Sequence, residues 1–237
     1  MESPIKALKE FKFTKAFWKR TIIALIGVLI MGITIGIMQA VDAGTDPYSK
    51  MCYGIALKMQ KYNKIEWLSF LEIYGNVSLA LNGVAFVILV FINWKLFGVG
   101  TILNMVVVGY AADFTRWVLG KAGFDAMNDS TAAVIAITIV SLVLFMIGVG
   151  LYIDAGLGTS PYDAIPNLLH QTINKHSKKN VPYKLVRIPF DLFFAIVALI
   201  LCGFSVGMTV TFAMAFFLGP IVDMVAKLLA KFVRFEE

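Results

Sequence analysis

The sequence predicts an all-α polytopic membrane protein built from two similar halves. Three observations support this: hydrophobic residues make up 59% of the 237 residues, mean hydropathy is +0.81, and the motif Gly-Thr-x-Pro-Tyr occurs twice. Soluble proteins contain roughly 45–50% apolar residues, and only 15% of this chain is charged. A soluble globular protein is therefore excluded.

Six apolar runs are long enough to cross the ~30 Å hydrocarbon core as helices. In chain order they are 21–41, 76–92, 100–117, 132–153, 183–201 and 207–225. Two shorter segments, 47–59 and 161–173, each begin at the Pro of the repeated motif. A helix of about 13 residues reaches only ~20 Å, so neither short helix can cross unaided.

The positive charges predict the topology, because Lys and Arg collect on the cytoplasmic side of membrane proteins. If the short segments cross, 19 of the 21 positive residues lie on one side, and only Lys50 and Lys95 do not. If they dip in and return, 15 lie on that side. The sequence thus predicts eight crossings in the cell membrane, with both termini cytoplasmic. The same rule accounts for the net charge of +6 without nucleic acid as a partner.

The second half repeats the first, and each half has three full transmembrane helices and one short, broken helix. Five identities at an offset of 114 carry the repeat: Gly36 with Gly150, Gly44 with Gly158, Thr45 with Thr159, Pro47 with Pro161, and Tyr48 with Tyr162. Further along, Tyr74 aligns with Tyr183 and Asn82 with Asp191. Four crossings per half predict two halves in parallel orientation, related by an axis along the membrane normal.

The predicted organisation has five parts: a basic cytoplasmic arm at 1–20, repeat 1 at 21–120, a linker at 121–131, repeat 2 at 132–230, and a cytoplasmic tail at 231–237. Lysines and aromatic residues alternate in the arm, which suits an amphipathic helix on the inner leaflet; an unstructured basic tail is the alternative. No small-residue cleavage pattern follows the first span, so we expect that helix to be retained.

The repeated motif predicts where each short helix begins. In the second half Ser160 suits the N-cap, Pro161 the first helical position, and Asp163 the third position, from which its carboxylate can reach back to the cap. In the first half Asp46 takes the cap and Ser49 the third position. Because each helix is short and must reach the cytoplasmic lysines, its N-terminus should lie inside the membrane, within protein or beside a water-filled cavity.

Two such helix starts near one axis direct free N–H groups and the positive ends of two dipoles at a common point, as in many transporters. The alternative is that the capped helices only plug a gap between the halves. The candidate substrate-binding residues are Thr45, Asp46, Tyr48, Ser49, Lys50, Asn82, Gly158, Thr159, Ser160, Tyr162, Asp163, Arg187 and Asp191.

Charged residues at membrane depth are costly and usually functional. Arg187 and Asp191 are four residues apart on one helical face, and so are Asp46 and Lys50. Such pairs either serve a solute or neutralise each other and hold helices together. Tyr48 and Tyr162 either stack on a solute or anchor the helices at the interface.

Glycines on the first and fifth crossings indicate close helix packing. They are Gly27, Gly32, Gly36, Gly148 and Gly150. Cys52 and Cys202 have neither metal-site nor redox spacing and are interpreted as packing residues. The sequence has no nucleophile elbow, phosphate-binding loop or HExxH motif, and a lone pair of histidines six residues apart is not a metal site. We therefore expect no enzymatic activity, no cofactor and no metal.

With these residues in hand, the chain resembles the small bacterial integral membrane proteins of the YczE/YitT type. The resemblance rests on 156–163, on Arg187 with Asp191, on 99–101, and on Asp113 or Asp223 at the end of each half. Departures from the pattern at Asp46, Ser49, Asn82 and Met208 suggest an asymmetric site. The resemblance implies a transporter of a small organic solute, of the kind grouped with amino-acid or vitamin-related uptake, with no settled substrate.

Two functions follow. The first is a transporter whose amino-acid-like, zwitterionic or vitamin-like solute binds between the repeats at the starts of the short helices. The alternative is a non-transporting membrane partner or regulatory protein that acts through its basic cytoplasmic face, at 175–184 and the arm. The expected partners are the lipid bilayer and a small-molecule substrate, and the sequence leaves open a homo-oligomer or a membrane partner protein.

Overall fold

A computed structural model describes residues 14–62, 73–124, 131–177 and 181–229 of the chain, with side chains up to residue 220. Within these ranges the chain forms eight α-helices and no β-strand, and a 3₁₀ turn at Trp94–Leu96 joins the third helix to the fourth. The helices are α1 Lys15–Ala40, α2 Pro47–Tyr62, α3 Tyr74–Asn93, α4 Val99–Lys121, α5 Thr131–Asp154, α6 Pro161–His176, α7 Lys184–Cys202 and α8 Val206–Leu229. The all-α prediction is confirmed.

The predicted helices are found with small shifts at their ends. Helix α1 begins at Lys15, earlier than expected, because the Thr14 hydroxyl accepts the backbone N–H of Phe17 at 3.2 Å and caps the helix. The short helices α2 and α6 have 16 residues each, or about 24 Å, still less than the hydrocarbon core. Most of the predicted arm, most of the linker and the tail lie outside the described residues.

The distribution of apolar and polar residues is that of a membrane protein. Helices α1, α3 with its following turn, α4, α5 and α7 are long and apolar enough to cross a bilayer, and α8 is apolar over Val206–Pro220. Large apolar side chains such as Phe91 cover the outer surface, whereas Asp191 and Lys50 are buried. This arrangement is stable only where the surroundings are apolar. The protein is therefore an integral membrane protein.

Small residues let α1 pack between α4 and α5. A Cβ added at Gly32 would lie 2.6 Å from the Cβ of Ala111, and one at Gly36 would lie 2.6 Å from the carbonyl oxygen of Ala112, both on α4. On the opposite side, a Cβ at Gly27 would lie 2.7 Å from the carbonyl oxygen of Gly148 on α5. The predicted packing role of these glycines is confirmed.

Each short helix lies against a helix of the other half. Helix α2 packs against α7, and α6 packs against α3. The contact between α1 and α5 adds a third connection between the halves. The space between the halves is therefore bounded by helices from both.

Two aligned glycines bring the loops before the short helices onto the other half. Gly44 has a φ of +81° and Gly158 a φ of +112°, a backbone conformation that disfavours a side chain. A Cβ on Gly44 would collide with the carbonyl oxygen of Gly207 at the start of α8. A Cβ on Gly158 would lie 2.5 Å from the backbone nitrogen of Gly98 at the start of α4.

Threonine hydrogen bonds hold both loops in these positions. The Thr101 hydroxyl on α4 donates to the carbonyl of Thr159 at 2.9 Å. On the other side, the backbone N–H of Thr45 donates to the hydroxyl of Thr211 on α8 at 3.3 Å. The start of each short helix is thus positioned by the last helix of the other half.

The loop contacts predict that Gly207→Ala destabilises the protein. The new Cβ would collide with the carbonyl oxygen of Asp42 and lie 2.5 Å from the nitrogen of Gly44, and overpacking of this kind costs about 1–3 kcal/mol. The matched control is Gly83→Ala, because a Cβ there has nothing within 4 Å. In thermal unfolding of the detergent-purified protein, Gly207→Ala should lower the melting temperature and Gly83→Ala should not. Equal melting temperatures for the two variants would contradict the loop packing.

Candidate functional site

A cavity of about 540 Å³ lies between the two halves, where both short helices begin. Its volume is in the range of sites for small organic ligands. Ten of the thirteen predicted site residues line it: Asp46, Tyr48, Ser49, Asn82, Gly158, Thr159, Ser160, Tyr162, Asp163 and Arg187. Thr45, Lys50 and Asp191 are not among the lining residues.

The second-half wall of the cavity is built on the start of α6. Ser160 is the N-cap, and its hydroxyl oxygen accepts the backbone N–H of Asp163 at 3.1 Å. The carboxylate of Asp163 reaches back to the cap residue, as predicted. There its Oδ2 accepts a hydrogen bond from the side-chain hydroxyl of Ser160 at 2.6 Å. Pro161 occupies the first turn. The predicted helix start is confirmed.

Arg187 on α7 bridges two carboxylates. Its Nη1 lies 2.6 Å from Asp163 Oδ1, and its Nε lies 2.7 Å from Asp191 Oδ2. The Tyr162 hydroxyl donates to the other oxygen of Asp191 at 2.5 Å. Asp191 is fully buried behind Tyr162 and Arg187. One guanidinium therefore ties α6 to α7 and sets the charge of this wall.

The first-half wall is built on the start of α2 and on α3. Asp46 caps α2, because its Oδ1 accepts the backbone N–H of Ser49 at 3.0 Å, as predicted. The Ser49 hydroxyl accepts a hydrogen bond from Tyr74 at 3.0 Å, and the amide nitrogen of Asn82 donates to the carbonyl of Ser78 at 3.1 Å. Asp46 Oδ2 and Asn82 Oδ1 are buried without a hydrogen-bond partner in the described part of the chain.

Lys50 pairs with a different carboxylate from the one its spacing indicated. Its Nζ lies 2.6 Å from Asp42 Oδ1, so the indicated pair with Asp46 does not form. Asp42 lies in the loop before α2 at a φ of +46°, where helical spacing does not apply. Thr45 has a structural role, because its N–H donates to Thr211.

The two short helices meet through their tyrosines. The rings of Tyr48 and Tyr162 pack against each other in a tilted arrangement, with centroids 4.6 Å apart and an interplanar angle of 31°. The Tyr48 hydroxyl also donates to the carbonyl of Ser78 at 3.3 Å. Tyr162 is buried and Tyr48 half-buried, so the pair lies inside the protein and forms part of the cavity wall.

Comparison with known proteins assigns the family. A family profile described as a family of unknown function (DUF6198) matches residues 18–227. The chain belongs to this family. It is also similar to the uncharacterized membrane protein YczE of Bacillus subtilis (strain 168), with 35% identity over 71 residues. That segment covers 30% of this chain and 30% of the length of that protein. The resemblance to the YczE type is confirmed, and no solved structure matches.

Several cavity residues of this family member were not among the predicted site residues. They are Lys95, Asn104, Tyr152, Asn167 and Tyr183. The repeat contained a signal for one of them, because Tyr183 aligns with Tyr74 and both line the cavity. In the described ranges, no three His, Cys, Asp or Glu side chains converge as metal ligands.

The arginine bridge predicts that Arg187→Gln strongly destabilises the protein. Removing one partner of a buried ion pair costs about 3–5 kcal/mol, because it leaves an uncompensated buried charge. Arg116→Gln is the comparison, since Arg116 pairs with a single carboxylate, that of Asp113, at 2.8 Å and is more exposed than Arg187. In thermal unfolding, Arg187→Gln should lower the melting temperature by more than Arg116→Gln. A smaller effect at Arg187 would contradict the bridge.

Proposed function

We propose that this protein is a membrane transporter that binds a small organic solute between its two halves, at the starts of α2 and α6. The observation that carries the proposal is the 540 Å³ cavity, whose walls combine both helix starts with ionisable side chains. In this proposal, the cavity between the halves is the place where the membrane protein binds its solute.

The polarity of the cavity supports a solute site over a simple plug. Charged side chains at membrane depth are costly, and proteins that keep them usually use them. An apolar core could have filled the same space without that cost. Here Asp46, Asp163 and Arg187 line the cavity, and residues at the starts of both short helices form part of its wall.

The contacts between the halves support the predicted repeat and a mechanism. Helix α2 packs on α7 as α6 packs on α3, and the loop at Gly44 lies on α8 as the loop at Gly158 lies on α4. We infer two parallel repeats with eight crossings and both termini in the cytoplasm. Transport then occurs by rocking of the repeats about the cavity, which exposes the solute to one side at a time.

The charges on the walls favour an amino-acid-like, zwitterionic or vitamin-like solute. Such molecules carry ionised groups that the cavity can match with carboxylates, a guanidinium and helix N-termini. Their size also agrees with the cavity volume.

The experiment is uptake into proteoliposomes. Solutes are first selected by a thermal-shift panel of amino acids, vitamins and other small zwitterions, because a ligand that binds only the folded state raises the melting temperature. Asp163→Asn or Asp191→Asn should abolish uptake of a selected solute, since each weakens the hold on Arg187 in the cavity wall.

The matched control is Asp113→Asn, which removes a carboxylate that pairs with Arg116 and does not line the cavity. Monodisperse elution in size-exclusion chromatography shows that each variant is folded. Undiminished uptake in both the Asp163 and the Asp191 variants would refute the assignment of the site. A silent panel together with a co-purifying protein would favour a non-transporting partner.

A further inference from the structure

We propose that the cavity binds a protonated amine and that the carboxylate of Asp46 is its counter-ion. The proposal rests on the proposed function and names the solute class: an organic cation, or a zwitterion bound through its ammonium group. It also assigns different tasks to the two halves, because the amine is held by the first half.

The first half has no counterpart of Arg187 to neutralise the carboxylate at the start of its short helix. Asn82 aligns with Asp191, so Ser78, four residues before Asn82, takes the place of Arg187. In the second half Arg187 neutralises the carboxylate at the start of α6. In the first half Ser78 is neutral, and Lys50 is held by Asp42. Within the described ranges Asp46 therefore has no ion-pair partner.

Three polar atoms around the cavity have no hydrogen-bond partner among the described residues. They are Asp46 Oδ2, Asn82 Oδ1 and the Tyr152 hydroxyl. The three residues are only 8%, 5% and 3% exposed, and all of them line the cavity. Buried polar groups are normally hydrogen-bonded, so these three residues of the lining leave hydrogen-bonding capacity for a bound molecule.

The chemistry of these atoms selects a donor. A carboxylate oxygen only accepts hydrogen bonds. The backbone carbonyl of Ser78 can only accept a hydrogen bond, so the amide nitrogen of Asn82 faces it, and the amide oxygen of Asn82 is left without a partner among the described residues. A tyrosine hydroxyl can accept as well. An ammonium group carries three N–H donors and the positive charge that Asp46 requires.

The charge balance disfavours an anion. Arg187 is shared between Asp163 and Asp191, so its charge is already compensated by protein carboxylates. Asp46 adds a further carboxylate to the lining. Lys95 lines the cavity as well, but it is an exposed residue in the turn after α3.

The dimensions favour an organic cation over an inorganic one. A cavity of about 540 Å³ greatly exceeds the space that an alkali ion and its oxygen ligands fill. The aromatic side chains of Tyr48, Tyr74 and Phe145 line part of it. They offer an apolar surface to the body of the ligand and ring faces to its positive charge.

The test is thermal stabilisation of the purified full-length protein by matched pairs of compounds. The probes are ethanolamine, putrescine and tyramine, each compared with the analogue that carries hydroxyl in place of amine: ethylene glycol, 1,4-butanediol and tyrosol. Sodium and potassium chloride are titrated separately at the same ionic strength. At least one amine should raise the melting temperature in a concentration-dependent way, and its hydroxyl analogue should not.

The decisive variant is Asp46→Asn. Asparagine caps a helix as well as aspartate does, so the Asn oxygen can still accept the N–H of Ser49 and the fold is kept. The affinity for the amine should fall by about tenfold or more, the range expected for the loss of a hydrogen bond to a charged group.

The matched control is Asp113→Asn, the same substitution at a carboxylate that pairs with Arg116 and lies outside the cavity lining. The asparagine oxygen can still accept the backbone N–H of Gly75. Amine affinity should remain at the wild-type value in this variant.

Four results would each overturn the amine assignment. The first two are that no amine stabilises the protein, or that a hydroxyl analogue stabilises it as much as its amine. The other two are that Asp46→Asn binds the same amine as tightly as wild type, or that sodium alone gives the melting-temperature shift that depends on Asp46. The two proposals fail separately. Uptake of a neutral or anionic solute without amine binding removes the inference and leaves transport. Amine binding at Asp46 without movement of any solute removes transport and supports the binding site.

Discussion

The structure between the two halves depends on one buried guanidinium. Arg187 holds Asp163 at the start of α6 and Asp191 on its own helix α7, and Asp191 in turn accepts the hydroxyl of Tyr162. Without the positive charge, the buried carboxylate of Asp191 would have no ion-pair partner, which is strongly unfavourable. The bridge ties the first turn of α6 to α7, and the loop contacts with α4 hold the same turn at the cavity wall.

The starts of the two short helices share a backbone feature and differ in their charges. Both loops that lead into the short helices need a glycine at positive φ and rest on the last helix of the other half. The side chains at the helix starts differ, because Asp46 and Ser49 reverse the order of Ser160 and Asp163, and Ser78 with Asn82 replaces Arg187 with Asp191. In the second-half wall, Arg187 partly neutralises the charge of two carboxylates. In the first-half wall, the acceptor atoms Asp46 Oδ2 and Asn82 Oδ1 have no partner among the described residues. A cavity with unequal walls can bind an asymmetric solute in one orientation.

The features that could be predicted from the sequence are those that depend on residues close together in the chain. Caps are local, so Ser160 and Asp46 could be placed at the starts of their helices, and Arg187 with Asp191 followed from helical spacing. The bond from Arg187 to Asp163 spans 24 residues and depends on how α6 packs on α7, which no periodicity encodes. The same holds for the packing of Tyr48 against Tyr162. Lys50 shows the limit most clearly, because spacing indicated Asp46 and the loop conformation brings Asp42 closer. The repeated Gly-Thr-x-Pro-Tyr motif is visible in the sequence, but the packing of each short helix on a helix of the other half is not.

The central claim is that water reaches a polar cavity between the halves, inside a surface that faces lipid. Cysteine accessibility tests it most directly, in a background where Cys52 and Cys202 are replaced by alanine. Asn104→Cys and Asn167→Cys place a thiol on the cavity wall, whereas Val84→Cys and Ile196→Cys place it on the outer apolar surface. A charged thiol reagent that cannot enter lipid, supplied on both sides of the membrane, should modify the two cavity variants and leave the two surface variants unmodified. Unreactive thiols at both Asn104 and Asn167 in the folded protein would contradict the account.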